Sequence, residues 1–169
     1  MRSTALLRIQ VGIVVERRKA RNPWTDFVWR PASVLAGLPA VPAWTLIGTE
    51  GDTALFYAGE AVIELHRTET ANYRTNLASG APKVWVVLRP GASPPGYDLA
   101  SVTADPAEGE ALTDAGSYLV ETVAMPGSIA GTIDQFIARY HVEQPFIKRH
   151  RIRPPCASSP CGDEPEKLQ

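Results

Sequence analysis

The sequence predicts an α+β fold: a twisted antiparallel or mixed sheet, able to curl into a half-barrel, with a C-terminal amphipathic helix packed on one face. Three observations predict it. The first half of the chain alternates apolar and polar residues with the period of two that marks half-buried strands. Residues 128–142 carry a single apolar stripe at helical spacing. Finally, 15 Pro and 13 Gly among 169 residues divide the chain into short elements joined by turns.

Taken in order, the first strand has Leu7, Ile9, Val11, Ile13 and Val15 on one face, with Arg8, Gln10, Glu16 and Arg18 mostly on the other. Arg8 and Gln10 also interrupt the apolar run, and no small-residue cleavage site follows, so the segment does not read as a signal peptide. Asn22-Pro23 turns the chain. Residues 27–35 make a second strand, in which Pro31 demands an edge position or a bulge. Gly37, Pro39 and Pro42 mark a loop. Residues 44–49 and 53–58 pair as a hairpin around Glu50-Gly51-Asp52, and residues 60–65 make a further strand. Residues 70–79 form about two helical turns that stop at Gly80. Residues 83–89, K-V-W-V-V-L-R, are nearly all apolar and belong in the middle of a sheet.

The second half mixes the two element types. Residues 90–96 are a Pro/Gly loop and 99–104 a short strand. Asp105-Pro106-Ala107-Glu108 places an N-cap, a first-position Pro and a third-position Glu at the start of a helix that Gly116 closes. Residues 118–124 are the next strand. Ile129, Ile133, Phe136, Ile137 and Tyr140 then fall at i, i+4, i+7, i+8 and i+11 of the C-terminal helix. One α+β domain over residues 5–153 is expected, followed by a disordered Pro/Ser-rich and then acidic tail over 154–169.

Composition excludes several classes. The net charge of −1 and 44% apolar content rule out wholesale disorder and a strongly basic nucleic-acid binder by overall charge. No uncharged apolar run approaches the ~18 residues of a membrane span, so no span is expected, and the cytoplasm is the expected location. Charge is segregated, however. Residues 1–30 hold seven Lys/Arg and two acids, net +5; residues 91–122 hold six acids and no Lys/Arg, net −6; residues 139–153 hold five Lys/Arg and one Glu, net +4. Such asymmetry steers a partner or brings the segments together within the fold.

The densest polar cluster runs from Glu64 through His66, Arg67 and Glu69 to Tyr73, Arg74 and Asn76, where a strand hands over to a helix. His66 is a candidate acid/base, and Arg67 or Arg74 can grip a phosphate or carboxylate. The plain structural reading is Thr68 or Thr70 as an N-cap among solvated charges. Arg30 and Arg89 each precede a Pro near a strand end, which fixes the direction of the stem. Together they can clamp an anion, or each can cover Trp29 or Trp85. The arm Phe146–Arg153 interleaves apolar and basic residues, with Lys148 and Arg149 at its centre. It reads as a polyanion or nucleic-acid contact, or as an arm docking on an acidic segment. Cys156 and Cys161 form a lone C-x4-C pair, too little for a zinc site. No metal or cofactor is expected, and no phosphate-loop, dinucleotide, zincin or nucleophile-elbow signature is present.

In combination, V-G-I-V-V-E-R-R from Val11, V-W-R-P from Val28, E-L-H-R-T-E-T from Glu64, Y-R-T-N-L from Tyr73, V-W-V-V-L-R-P from Val84, V-E-T-V-A-M-P from Val120 and P-F-I-K-R from Pro145 resemble a bacterial, mainly proteobacterial, family of uncharacterised proteins. Its genes often lie near those of molybdenum-dependent formate dehydrogenases and their accessory proteins, and some members are labelled molybdopterin-guanine dinucleotide biosynthesis protein A. The resemblance covers about residues 9–153. It implies a non-enzymatic accessory protein in molybdoenzyme maturation, binding a molybdoenzyme subunit, a maturation factor or an anionic small ligand. A nucleotidyltransferase using GTP is the alternative that the label implies. True guanylyltransferases open with L-A-G-G-x-S-x-R-M-G, whereas this chain has Leu35-Ala36-Gly37 followed by Leu38-Pro39, so no transferase residue carries over.

Overall fold

The computed structural model describes residues 5–142. The chain runs β1 (Leu7–Lys19), β2 (Phe27–Leu35), β3 (Thr45–Glu50), β4 (Thr53–Leu65), α1 (Thr70–Ala78), β5 (Lys83–Pro90), β6 (Tyr97–Thr103), α2 (Pro106–Asp114), β7 (Leu119–Ala124) and α3 (Gly127–Tyr140), with a 3-10 turn over Arg67–Glu69 leading into α1. The strands form two sheets, ordered β2-β1-β4-β3 and β6-β5-β7, and every ladder is antiparallel. β4 comes alongside β6 and β2 alongside β7. No ladder joins the two sheets, so the barrel they outline is not closed.

Between the sheets lies one buried cluster. Val11, Ile13 and Val15 from β1, Ile63 and Leu65 from β4, and Val84, Val86 and Leu88 from β5 meet Ile129, Ile133, Phe136 and Ile137 of α3. The apolar stripe of the C-terminal helix thus packs as the sequence predicts, and each such side chain contributes ~1.5–3 kcal/mol on burial. β5 is central in its sheet, also as expected.

Pro31 satisfies both of its conditions. β2 is an edge strand, and the register jumps from Val14 opposite Ser33 to Val15 opposite Pro31, leaving Ala32 as the extra residue of a bulge. At α2, Asp105 caps the helix by accepting the Ala107 amide at 2.9 Å. Glu108 closes the capping box through an intermediary. The Asp105 amide donates to Thr103 Oγ1 at 3.1 Å, and that hydroxyl donates to Glu108 Oε2 at 2.6 Å.

Three expectations need correction. Residues 53–58 and 60–65 are not separate strands but one, β4. Ile13 pairs with Gly59 and Val14 with Tyr57, so Ala58 is the bulged residue, and Gly59 takes a φ of +135° that lets the strand bend without ending. The middle of β1 is covered on both faces rather than one: Gly12 and Val14 are buried. A Cβ on Gly12 would stand 3.0 Å from the Tyr57 ring and 3.1 Å from the Gly37 carbonyl oxygen, so the loop after β2 lies across it. Finally, neither Thr68 nor Thr70 caps α1. Glu69 occupies the N-cap position without a side-chain bond, because the 3-10 turn feeds its backbone directly into the helix.

Candidate functional site

The helix α1 divides its residues by spacing. Thr70, Tyr73 and Asn76 recur every third position and turn inward, whereas Ala71, Arg74 and Ala78 fall at i, i+3 and i+7 on another face, where Arg67 joins them from the 3-10 turn.

The inward face is a set of polar staples. Asn76 is buried. Its Nδ2 donates to the carbonyls of Lys83 at 2.8 Å and Ala104 at 2.9 Å, and its Oδ1 accepts the Lys83 amide at 2.9 Å. The amide therefore ties α1 to the start of β5 and the end of β6. The Tyr73 hydroxyl accepts the His66 amide at 3.0 Å, and its ring lies edge-on to Phe136 with centroids 6.3 Å apart. Burial pushes the Tyr73 phenol up to about 12, with the carboxylates of Asp105, Glu69 and Glu108 adding to the rise and the His66 amide opposing it.

An acid whose pKa is raised by folding contributes stability that is fully present below its unfolded value and is lost as pH rises through the folded value. Here the window runs from about 10 to about 12, and a shift of this size corresponds to roughly 3 kcal/mol. Stability measured by urea unfolding is expected to fall across that window, and Tyr73→Phe is expected to flatten this alkaline limb. An unchanged limb in the variant would show that another group controls it.

The other face borders a concavity of about 990 Å³ lined by Arg67, Thr68, Ala71, Arg74, Thr75 and, from beyond α3, His141. A hydrogen-bond chain crosses it. The Thr70 hydroxyl donates to the Arg67 carbonyl at 3.3 Å. With its only proton so placed, Thr70 Oγ1 accepts from His141 Nδ1–H at 3.0 Å. His141 Nε2 is then left as the acceptor for Arg74 Nη1 at 3.3 Å. The network thus assigns His141 a neutral Nδ1–H tautomer. It also sets the chemical direction of the pair: the imidazole donates to a buried hydroxyl rather than taking its proton, the reverse of a nucleophile and its base. The Thr75 hydroxyl likewise donates to the Ala71 carbonyl at 3.0 Å, so what the groove offers is two guanidiniums and the Thr68 hydroxyl, donors that bind carboxylate or phosphate oxygens.

The remaining candidates lie elsewhere. Glu69 Oε2 accepts from Asn72 Nδ2 at 3.1 Å, and the same nitrogen donates to Asp105 Oδ2 at 3.2 Å, linking α1 to α2. His66 lines a separate cleft of about 280 Å³ with Glu60, Glu64 and Glu108. Arg30 on β2 lies 3.0 Å from Glu16, and Arg89 on β5 lies 3.5 Å from Asp98. Each guanidinium is thus turned to a carboxylate of its own sheet. Glu16 Oε1 is buried and has no aligned hydrogen bond, so Arg30 and, at 3.6 Å, Arg18 compensate its charge through proximity alone. Lys148, Arg149 and both cysteines lie outside the described residues.

Sequence reasoning missed His141. Its partners Thr70 and Arg74 lie 71 and 67 positions away in the chain, and no local pattern signals such a meeting. Among the described residues, no three His, Cys, Asp or Glu side chains gather as a metal site, and no helix is long and apolar enough to cross a membrane. Four strands precede the first helix, so no strand–glycine turn–helix unit opens the described chain.

These features define a two-sheet α+β protein with a cationic, hydroxyl-lined groove beside its first helix. Residues 10–150 match the family described as "Protein of unknown function (DUF3305)", and the chain belongs to that family. No curated protein and no solved structure matches it.

Proposed function

We propose that the protein is a non-enzymatic accessory protein that holds an anionic group in the groove between α1 and the end of α3, in the maturation of a molybdenum enzyme such as formate dehydrogenase. The observation that carries the binding role is the convergence of Arg67, Arg74 and His141 on one concavity with Thr68 and Thr75. His141 accepts from Arg74 and so limits where its guanidinium points, which lowers the ordering cost of gripping an oxyanion. The molybdenum setting is supplied by the resemblance of the chain's motifs to a family found beside formate dehydrogenase genes.

Arg67 and Arg74 are exposed, and truncating exposed side chains typically moves stability by no more than about 0.5 kcal/mol. Arg74→Ala also removes the bond to His141, so the melting temperature of the double variant is measured alongside to separate binding from folding. In a strain lacking this gene, formate dehydrogenase activity is expected to be low. The wild-type gene should restore it, and Arg67→Ala combined with Arg74→Ala should not. Full restoration by the double variant would remove the groove from the function, and normal activity without the gene would remove the molybdenum role.

A further inference from the structure

The hairpin ends of the four-stranded sheet carry a second built feature, independent of the groove. Arg17 on β1 lies across from Trp29 on β2 and Ala54 on β4. Its guanidinium sits over the rings of Phe27 at 4.4 Å, Phe56 at 5.2 Å and Trp29 at 5.7 Å. Trp44 meets Trp29 edge-on at 5.9 Å and extends the aromatic bed. It does so with a left-handed φ of +64°, a conformation that a bulky residue adopts only when its surroundings impose it. Its amide donates to the Tyr57 carbonyl.

Arg8, Arg18, Arg30 and Arg89 each have a carboxylate within 3.0–3.6 Å. Arg17 has neither a carboxylate nor a hydrogen-bond acceptor among the described residues. The rings hold its Cζ in place from below, and its N–H groups, with no acceptor among the described residues, are free to bind a planar oxyanion. Close by in the same hairpin, Trp24 is 90% exposed, and Phe27, on the same face as Arg17, is also exposed. The Trp24 backbone is held in place: Asn22 Oδ1 accepts its amide at 3.2 Å and that of Thr25 at 3.1 Å.

Local charge selects the ligand. Arg17, Arg18, Lys19, Arg21 and Arg30 are set against Glu16, Asp26, Glu50 and Asp52, leaving one positive charge over nine ionised groups. So weak a field does not gather a nucleic-acid backbone or an anionic bilayer. The ring faces beneath Arg17 are also occupied, which removes them as a stacking platform for bases. One carboxylate beside an apolar side chain fits.

We infer that the β1–β2 hairpin end is a docking surface for a protein segment in which a single Asp or Glu adjoins an aromatic or branched aliphatic residue. The carboxylate sits on the edge of Arg17, and its apolar neighbour rests on Trp24 and the exposed part of Phe27, which shares the Arg17 face.

The test uses the full chain and fluorescent decapeptides with one Glu next to Trp or Leu in a Ser/Gly background, each matched by its Gln counterpart. Binding is read by anisotropy, with oligo(dT) and phosphatidylglycerol vesicles as competitors of the other two chemistries. A Glu peptide is expected to bind at least about tenfold more tightly than its Gln match, the size of one charge-assisted hydrogen bond. Arg17→Met keeps an unbranched apolar stem on the rings and should erase that difference. Trp24→Ala, at a site too exposed to affect folding, should weaken the Glu peptides about threefold or more. The inference is overturned if Glu and Gln peptides bind alike or not at all, if both variants bind as the wild type does, or if oligo(dT) or the vesicles outcompete the peptides.

Discussion

Gly109→Ala is expected to lower the melting temperature by roughly 5–10 °C, taking ~2–4 °C per kcal/mol for a chain of this size. A Cβ at that position would stand 2.2 Å from Trp85 Cγ, 2.3 Å from Cδ1 and 2.6 Å from Cδ2. Trp85 lies on the central strand, its backbone fixed by pairing with Thr103 on one side and Thr122 on the other, and turning the ring about its Cβ–Cγ bond leaves Cγ, the atom nearest the added Cβ, in place. The helix α2 has to lift instead, which pulls on the Asp105–Thr103–Glu108 cap. Overpacking typically costs ~1–3 kcal/mol, more where backbone moves, and the better helix propensity of Ala recovers only ~1 kcal/mol. A clash this deep that moves backbone belongs above the usual range, at ~3–4 kcal/mol, so it wins and leaves a net loss of ~2–3 kcal/mol. Gly131→Ala on α3 is the matched control: no atom lies within 4 Å of its added Cβ, and it should stabilise by up to ~1 kcal/mol. Differential scanning calorimetry of the two variants reads both signs. Equal effects would mean that α2 does not rest on Trp85.

Asn76→Ala is expected to cost ~3–4 kcal/mol, because it strands the amide and carbonyl of Lys83 and the carbonyl of Ala104, and each buried polar group left without a partner costs ~1–3 kcal/mol. Asn76→Asp is the sharper variant. It keeps the shape and the acceptor for the Lys83 amide, yet sets an oxygen against two carbonyl oxygens where Nδ2 donates. It should destabilise at least as much as Ala at neutral pH. Urea unfolding checks both. An Asp variant near wild-type stability would show that the staple is not made.

Legibility in the sequence follows the range of the interactions. The edge placement and bulge at Pro31, the cap at Asp105 and the stripe of α3 depend on residues within a few positions of one another, and each could be read directly. Gly59 reads as a break because a lone glycine between two apolar runs looks the same whether it ends a strand or bulges one; only the partner strand β1 decides. The burial of Gly12 and Val14 depends on a loop more than 20 positions away. Among the candidate site residues, polarity alone does not distinguish an outward Arg74 from an inward Asn76, since both sit on one short helix whose facing is set by β5 and β6. The aromatic bed of Arg17 gathers three strands and a loop, and no single segment signals it.

The most direct test of the groove is a tagged pull-down from cells making formate dehydrogenase, quantified by mass spectrometry, with the wild-type chain beside the combined Arg67→Ala, Arg74→Ala variant. We expect the wild type to recover a molybdoenzyme subunit or a maturation factor, and the variant, with an unchanged melting temperature, to lose it by about tenfold or more, as removal of ~1.4 kcal/mol or more of binding would produce. Equal recovery by the two chains, or no such protein with the wild type, would contradict the account.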